Sequence, residues 1–501
     1  MNLKHLISGT DIRGIVSKFE DREINLSGEE VKFIAKGFGL WIEKNCGKQA
    51  RNENRKIKIA VGYDARLTGT LFSQIIRNVL KNMGIDVYNC GMSITPSLFM
   101  TTIFDEYKVD GAVMITASHL PSYYNGLKFF SLRGGLEKEE VVELLELSKN
   151  NPEFIEVKDK GIEIEKELDN DYAKYLVDLI KAQAKNGEKP LQKLKIVVDA
   201  GNGAAGFIAE NVIAELGGDI TGSQFLDPDG NFPNHVPNPE AKEAIESIKQ
   251  AVLKNNADFG IIFDADGDRS AFIDQEGREI NRNNLIALLA EILIKETPKA
   301  TIVTDSVTSI ELKKFIEKRG GKHHRFQRGY KNVINEAKRL NDEGIYTPLA
   351  IETSGHAAFI DNYFLDDGAY MAARLLIQLV KSKQKGVNFT DVLNEIKEPV
   401  EEKELRFKIK ELDNFREIGN EILKDLKEYV LTVSNWELEI PNYEGIRVNV
   451  DKENWFLLRL SLHEPLLCLN IETTKKGKVE EILIKLKEFL SLKENIDISN
   501  L

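Results

Sequence analysis

The sequence predicts an α/β protein of several domains, and three observations lead to this prediction. Apolar strands alternate with amphipathic helices along most of the chain, as they do in α/β units with parallel or mixed sheets. At 501 residues the chain is too long for a single hydrophobic core. The last part of the chain changes to consecutive strands flanked by helices, which favours a smaller C-terminal α+β domain.

The α/β part repeats a pattern of strand, polar loop and helix. Each apolar strand is followed by a loop that is rich in Asp, Ser, Gly or His, and helical spacing of apolar residues is clearest at 71–80. The strands that precede these loops are predicted at 57–61, 109–115, 195–198, 259–263, 300–303 and 346–351.

Composition and charge exclude several classes of protein. The net charge of −12 disfavours nonspecific binding to nucleic acid, which needs a basic surface. No apolar stretch approaches the ~20 residues of a membrane span, and the start of the chain has no apolar signal region. The three cysteines show no spacing for a disulfide framework. We therefore expect a cytoplasmic enzyme with no nucleic-acid or membrane partner.

The segment Thr116–Pro121 (TASHLP) closes one of the predicted buried strands. In α/β sheets, ligands bind at the carboxyl ends of strands. A strained turn that presents Ser118 with His119 beside it indicates a nucleophile. Taken alone, the same residues fit equally well a Ser/Thr-rich loop that caps the next helix.

The segment Asp264–Arg269 (DADGDR) indicates a metal site. Asp264, Asp266 and Asp268 can converge on one cation if the backbone turns at the glycine, and oxygen ligands suit Mg²⁺. An EF-hand is excluded because its glycine and glutamate positions hold Arg269 and Gln275. The other alternative is an acidic surface turn, which is disfavoured because three neighbouring carboxylates repel each other without a cation.

Two basic residues are candidates for contacts near the nucleophile. Arg13, in the segment Gly9–Gly14, could place its guanidinium on a phosphate. The pair Asn125-Gly126 predicts a turn that folds Lys128 back toward Ser118, where it could move a proton or contact phosphate. Solvated side chains remain the alternative for both.

Two further loops supply binding chemistry. In Glu352–His356 (ETSGH), Glu352 and Ser354 could bridge two vicinal sugar hydroxyls, and His356 could transfer a proton. Lys331 could reach an anionic ligand. These residues also fit structural or solvated roles.

The segment Arg459–Pro465 (RLSLHEP) offers a forked donor in Arg459 and a hydroxyl in Ser461, which suits a phosphate clamp or a simple hairpin loop. Together, a nucleophilic hydroxyl, a Mg²⁺ loop, a polyol-binding pair and a phosphate clamp predict phosphoryl transfer to and from a sugar phosphate.

In their order along the chain, these motifs resemble those of the α-D-phosphohexomutase family, the phosphoglucomutase/phosphomannomutase enzymes. The resemblance runs from Gly9 to Pro465 and includes Asp227–Pro233 (DPDGNFP) and Pro237–Pro239. It implies four domains around a central cleft: three related α/β domains with mixed sheets and a C-terminal α+β domain. The expected boundaries are 1–160, 161–278, 279–388 and 389–501.

The resemblance implies a mechanism for interconverting hexose 1-phosphate and hexose 6-phosphate, of glucose, mannose or both. Ser118 would rest as phosphoserine and share a Mg²⁺ ion with the three aspartates. A hexose 1,6-bisphosphate would be the intermediate and the activator. Arg13, Lys128 and His356 are expected to handle protons and phosphate, and Arg269 to contact the phosphoserine. The expected partners are small hexose phosphates, and the protein is expected to be a monomer or dimer.

The chain departs from the family pattern at several positions. Leu120 replaces the usual Asn, and Leu462 and His463 replace the Gly and Thr of the phosphate loop. Leucine disfavours a left-handed backbone, so we expect a different loop shape in which His463 supplies a donor. Thr353 stands where glucosamine mutases carry Gln, which counts against an amino sugar.

Three alternative functions stay open from the sequence. One is a mutase for another sugar phosphate such as glucosamine phosphate. A second is a phosphatase that uses water as the acceptor. A third is a non-catalytic sugar-phosphate sensor on the same fold.

Overall fold

In the part of the chain that the structure describes, four β-sheets form, each with its own helices. The computed structural model describes residues 3–151, 153, 156–461 and 464–501. The chain forms two compact units: unit 1 runs to Ile280 and includes Leu365–Asn388, and unit 2 comprises Asn281–Phe364 and Phe389–Leu501. The four sheets confirm the predicted fold class of three α/β domains and a C-terminal α+β domain.

The first sheet, in unit 1, is mixed. Its strands are β1 (Ile7–Ser8), β2 (Asp11–Ile15), β3 (Lys58–Tyr63), β4 (Asp86–Met92), β5 (Gly111–Ile115), β6 (Tyr124–Ser131), β7 (Gly134–Gly135) and β8 (Glu163–Glu165). They lie in the order β1-β2-β6-β5-β3-β4-β8, with β7 beside β6. The helices are α1 (Gly28–Asn45), α2 (Gly47–Asn52), α3 (Gly69–Asn82), α4 (Thr95–Met100), α5 (Lys138–Asn150) and α6 (Leu168–Ala184). Capping boxes fix the starts of α1 and α5.

The second sheet, also in unit 1, pairs two parallel strands with two antiparallel ones. Its strands are β9 (Ile196–Asp199), β10 (Phe259–Phe263), β11 (Ser270–Asp274) and β12 (Glu279–Ile280), in the order β12-β11-β10-β9. Strand β10 is buried at every position, as expected for a strand covered on both faces. A π-helical segment (Ala209–Ala214) and α7 (Lys242–Asn255) accompany the sheet.

The third sheet lies in unit 2. Its strands are β13 (Thr301–Thr304), β14 (Lys322–Arg325), β15 (Leu349–Ile351) and β16 (Ala357–Phe359), in the order β14-β13-β15-β16. Its helices are α8 (Arg282–Glu296), α9 (Ile310–Lys318) and α10 (Tyr330–Asp342). Short 3₁₀ helices occur at Lys4–Leu6, Ala204–Gly206, Ile360–Asn362 and Asp391–Glu395.

Helix α11 (Gly368–Gln384) belongs to unit 1, although it follows the third sheet in the chain. Thirteen of its residues are buried, and its side-chain cap, Asp367, also accepts a hydrogen bond from Tyr172 of α6. The compact units therefore divide the chain differently from the expected domain boundaries, which themselves stay a prediction.

The fourth sheet is entirely antiparallel and lies in unit 2. Its strands are β17 (Glu401–Lys408), β18 (Glu437–Leu438), β19 (Ile446–Asn449), β20 (Trp455–Leu460) and β21 (Leu466–Thr473), in the order β17-β21-β20-β19-β18. Helices α12 (Phe415–Val430) and α13 (Lys478–Leu490) cover an apolar core. In β17, whose last residues alternate between buried and exposed, only Leu405 and Phe407 are buried.

One hairpin recurs in the first three sheets. In each, a buried strand that pairs in parallel with a neighbour returns as an antiparallel strand: β5 to β6, β10 to β11 and β15 to β16. The expected order of strand, loop and helix is therefore wrong at these three loops. At these loops the chain continues as a strand that pairs back on the sheet, whereas the expected order holds at β3 and α3.

We predict that Leu458→Ala destabilises the fourth sheet. Leu458 is fully buried in β20, so the cavity should lower the free energy of unfolding by about 2–5 kcal/mol. Tryptophan fluorescence during urea denaturation measures this loss, because Trp436 and Trp455 both belong to the fourth sheet's domain. Leu492→Ala, at a position that is 77% exposed, is the matched control. Equal stability of the two variants would contradict the burial of Leu458 in this core.

Candidate active site

Ser118 lies in the tight loop between β5 and β6 and has a left-handed backbone, with φ of 50°. Residues with a Cβ rarely adopt this conformation. The Ser118 amide donates to Thr116 Oγ1 at 2.8 Å. Ser118 is only 2% exposed. The turn therefore aims a buried hydroxyl, as the sequence predicted for a nucleophile.

Three carboxylates lie next to that hydroxyl. Asp264, Asp266 and Asp268 occupy the loop between β10 and β11, are almost fully buried, and have carboxylate oxygens within 4.8 Å of one another. Ser118 Oγ donates to Asp264 Oδ2 at 2.9 Å. Burial, and then the charges of the other two aspartates, raise the pKa of Asp264 well above its ordinary value. Positive charge beside the three carboxylates relieves this electrostatic cost.

Lys128 supplies part of that charge. It lies in β6 opposite Met114 of β5, and its ammonium contacts Asp266 Oδ2 at 3.0 Å and Asp268 Oδ2. The predicted turn at Asn125-Gly126 is wrong, because both residues lie inside β6. Lys128 approaches the site through the antiparallel register of β6 instead.

Arg269 supplies the remaining positive charge beside the three carboxylates. Its guanidinium donates from Nε to Asp264 Oδ2 at 3.1 Å and from Nη2 to Ser118 Oγ at 3.2 Å. His119 Nδ1 lies 3.3 Å from the same Ser118 oxygen.

Arg13 lies in β2 opposite Gly126 of β6 and donates to Asp11 at 2.9 Å. Unit 1 thus brings together all the predicted nucleophile and metal-loop residues.

In unit 2, the loop between β15 and β16 holds Glu352 and Ser354. Glu352 accepts hydrogen bonds from the Gly329 amide at 2.5 Å and from Ser354 Oγ at 3.2 Å. His356 ends the loop, and its ring stacks on Tyr330 with centroids 5.2 Å apart. Lys331 follows Tyr330 in the first turn of α10. The predicted sugar-binding residues therefore lie beside the start of this helix.

Sequence reasoning missed the carboxylate that joins this loop region to the fourth sheet. Glu444 accepts hydrogen bonds from the Arg328 amide at 3.1 Å and from Ser306 Oγ, and it lies 3.8 Å from Arg459 Nη1. The amides of Arg328 and Gly329, which are adjacent in sequence, thus bind two different carboxylates. No motif marks Glu444, because it stands in an ordinary polar turn.

The predicted phosphate loop is described in part. Arg459 is 8% exposed, and its buried Nε has no hydrogen-bond partner among the residues that the structure describes. The Ser461 amide donates to Leu466 O at 2.9 Å, and its hydroxyl accepts from Glu464. Leu462 and His463, on which the expected change of loop shape depends, lie outside the described residues.

Comparison with known proteins identifies the family. Residues 5–155, 170–277 and 281–398 match, in order, the phosphoglucomutase/phosphomannomutase alpha/beta/alpha domains I, II and III. The chain belongs to the phosphoglucomutase/phosphomannomutase family. As a member it is an enzyme of the isomerase class that acts in carbohydrate metabolism. In the part of the chain that the structure describes, no helix is long and apolar enough to cross a membrane.

Relatives in this family match nearly end to end. The phosphomannomutase/phosphoglucomutase of Pseudomonas syringae is 31% identical, with 94% of this chain and 92% of the relative covered. The phosphoglucomutase of Neisseria meningitidis serogroup A is 29% identical, with 98% of each covered. A crystal structure of a family protein from Burkholderia thailandensis has a TM-score of 0.80 and 25% identity, covering 99% of this chain and 98% of that one.

We predict a pH-dependent stability that arises from Asp305. This carboxyl accepts hydrogen bonds from the Thr353 amide and hydroxyl, and burial raises its pKa from 3.8 to about 6. Between these values the folded protein holds more protons than the unfolded chain, so stability falls as pH rises. The raised pKa of Asp305 should therefore lower the free energy of unfolding as pH rises through that window.

The variant Asp305→Asn should lose this contribution, which denaturation between about pH 4 and pH 7 can measure. The stability of the variant relative to the wild type should rise with pH. Asp342→Asn, at an exposed position of the same domain, should run parallel to the wild type. Parallel curves for Asp305→Asn as well would refute the assignment.

Proposed function

We propose that this enzyme interconverts hexose 1-phosphate and hexose 6-phosphate, of glucose, mannose or both, through a phosphorylated Ser118. The observation that carries the proposal is the buried Ser118 hydroxyl, which is hydrogen-bonded to both Asp264 and Arg269. A hydroxyl placed between a carboxylate of a metal loop and a guanidinium suits phosphoryl transfer. Its substrates would be hexose monophosphates, and a hexose 1,6-bisphosphate would be both intermediate and activator.

The acidic loop fits a Mg²⁺ ion. Three buried carboxylates converge, and Asp266 Oδ1 has no hydrogen-bond partner among the described residues. Asp264, Asp266, Asp268 and a phosphoserine oxygen at Ser118 would hold the ion. When bound, Mg²⁺ would neutralise charge on the phosphoryl group that is transferred.

The transfer breaks one P–O bond and forms another. In the first half, the bond between phosphorus and Ser118 Oγ breaks while the free 1- or 6-hydroxyl oxygen of the sugar bonds to phosphorus, and the hydroxyl gives up its proton. In the second half, after the bisphosphate turns over, the bond between its other phosphorus and the sugar oxygen breaks while Ser118 Oγ bonds to that phosphorus, and the sugar oxygen takes up a proton. Arg269 would stabilise the charge on Ser118 Oγ. Lys128, Arg13 and His356 are the candidates for holding phosphate and moving the proton.

Unit 2 would bind the part of the substrate that does not react. Glu352 is proposed to accept hydrogen bonds from sugar hydroxyls, and Ser354 is proposed to donate to them. Lys331 would supply a cation near these two residues. Arg459, with a buried Nε that lacks a partner among the described residues, suits the phosphate that is not transferred. Ser461 and His463 are proposed to complete that phosphate site.

A coupled assay tests the proposal. We expect formation of glucose 6-phosphate from glucose 1-phosphate, and of mannose 6-phosphate from mannose 1-phosphate, with Mg²⁺ and a trace of glucose 1,6-bisphosphate. Ser118→Ala should abolish both activities, because the variant lacks the hydroxyl that is proposed to carry the phosphoryl group. Thr101→Ala, which removes a buried hydroxyl elsewhere in unit 1, should remain active.

Other results would point to the alternatives. Net release of inorganic phosphate would indicate a phosphatase, and turnover only of glucosamine phosphate would indicate an amino-sugar mutase. Binding of hexose phosphates without any turnover, by folded and phosphorylated protein, would indicate a sensor and overturn the proposal.

We predict opposite effects of Lys128→Met on metal binding and on turnover. Removing the ammonium that contacts Asp266 and Asp268 deletes a competing positive charge, so the affinity for Mg²⁺ measured by calorimetry should rise. Turnover should fall by about 10²–10³-fold, as expected when one group that stabilises transition-state charge is lost. Lys174→Met, at an exposed position of α6, is the control. Wild-type turnover in Lys128→Met would exclude a catalytic role.

A further inference from the structure

One buried arginine holds the loop that carries Ser118. Arg66 is 3% exposed. Its Nη1 donates to Pro121 O at 2.8 Å and to Tyr124 O at 2.9 Å, and its Nη2 donates to Ser118 O and to Leu120 O at 2.6 Å. A single planar guanidinium therefore binds four carbonyls across the whole turn.

Asp64 fixes the arginine and the start of the same loop. Its carboxylate lies 3.2 Å from Arg66 Nε and accepts from the Arg66 amide at 3.0 Å. It also accepts from the Thr116 hydroxyl at 2.7 Å, and that hydroxyl in turn accepts from the Ser118 amide at 2.8 Å. The left-handed conformation at Ser118 is thus stabilised from both ends of the turn, which a disfavoured backbone requires.

A segment of the second domain packs against this arrangement. Gly230, in Asp227–Pro233, lies so close to the loop after β3 that a Cβ there would be 2.5 Å from Ala65 O and 2.6 Å from Leu67 N. These contacts are with backbone atoms, so relieving the clash would require a shift of the main chain. Only glycine therefore allows this approach.

The same segment also covers Arg66. The Phe232 ring centroid lies 5.2 Å from the guanidinium carbon of Arg66, within range of a cation–π interaction. Phe232 further packs with Ala65 and with Ala265 of the metal loop in one small buried cluster. The segment consequently contacts both the support of the nucleophile loop and the metal loop.

We propose that Asp227–Pro233 is a positioning element that sets the Ser118 hydroxyl relative to the metal loop, acting through Arg66. Neither Gly230 nor Phe232 touches the reacting atoms, so they are positioning residues and not catalytic ones. This inference rests on the proposed phosphoryl transfer. In-line transfer is sensitive to geometry, and a displacement of about 1 Å costs on the order of 10²-fold in rate.

The first test measures phosphorylation of Ser118 in a single turnover. Gly230→Ala and Phe232→Leu are incubated with glucose 1,6-bisphosphate and Mg²⁺, and the gain of one phosphoryl group is followed by intact mass. We expect a fall on the order of 10²-fold in this rate for Gly230→Ala and a smaller fall for Phe232→Leu. In the steady state, kcat should fall while KM for the hexose phosphate stays constant.

Matched variants separate positioning from folding. Asn231→Ala alters an exposed neighbour whose amide donates to Asp229, and should behave as the wild type. Phe38→Leu, at a fully buried site in α1, should lower the melting temperature without changing kcat. Arg66→Lys should retain more activity than Arg66→Met, because an ammonium still donates to some of the four carbonyls.

The second test does not depend on activity. Hydrogen exchange of the amides in 116–124 is compared between wild type and Gly230→Ala. Faster exchange in this loop, with unchanged exchange in the fourth sheet, is expected. Unchanged loop exchange, or a wild-type rate of phosphorylation in folded Gly230→Ala, would overturn the inference. A third outcome separates the two claims. If loop exchange is faster in Gly230→Ala but the wild type itself is not phosphorylated, the proposed function is overturned and the positioning role of the segment stands.

Discussion

The structure of the site depends on the burial of three carboxylates in one turn. Asp264, Asp266 and Asp268 are held within a few ångströms of each other and away from water, and such an arrangement is unfavourable unless cations balance it. Lys128 and Arg269 are the cations that the protein itself provides. The same requirement explains why the loop suits a divalent ion.

One supersecondary unit, a β-hairpin, recurs in the first three sheets and carries the proposed site residues in its turn. Three times, a buried strand turns back as an antiparallel strand, and the turn carries residues proposed to act in the site: Ser118, the three aspartates, and Glu352 with Ser354. A hairpin anchored on a central strand holds its turn rigidly, which is what precise placement of reacting groups requires. Different side chains on equivalent turns thus supply the proposed nucleophile, the proposed metal loop and the proposed sugar-binding loop.

In unit 2, backbone amides connect loops from two sheets. The adjacent amides of Arg328 and Gly329 bind Glu444 and Glu352, and Glu444 also lies near Arg459. Gly329 has φ of 116°, and α10 begins directly after it, so these amides point toward anions as they do at other helix N-termini. The carboxylates that bind there link the proposed sugar and phosphate sites.

The sequence by itself determined the fold class and marked Ser118 and the acidic loop as candidate site residues, because these depend on short local patterns: a buried strand followed by Ser118, or by alternating aspartates. It also indicated β19, β20 and β21 of the fourth sheet, but it missed β17 and β18 and misplaced the turn before Lys128. Only the tertiary structure decided how residues far apart in the chain meet. Arg66 clamps four carbonyls more than fifty residues away, and Gly230 approaches Ala65. Such contacts depend on strand register and on the packing of one domain's loop against another, and neither leaves a periodic signal in the sequence.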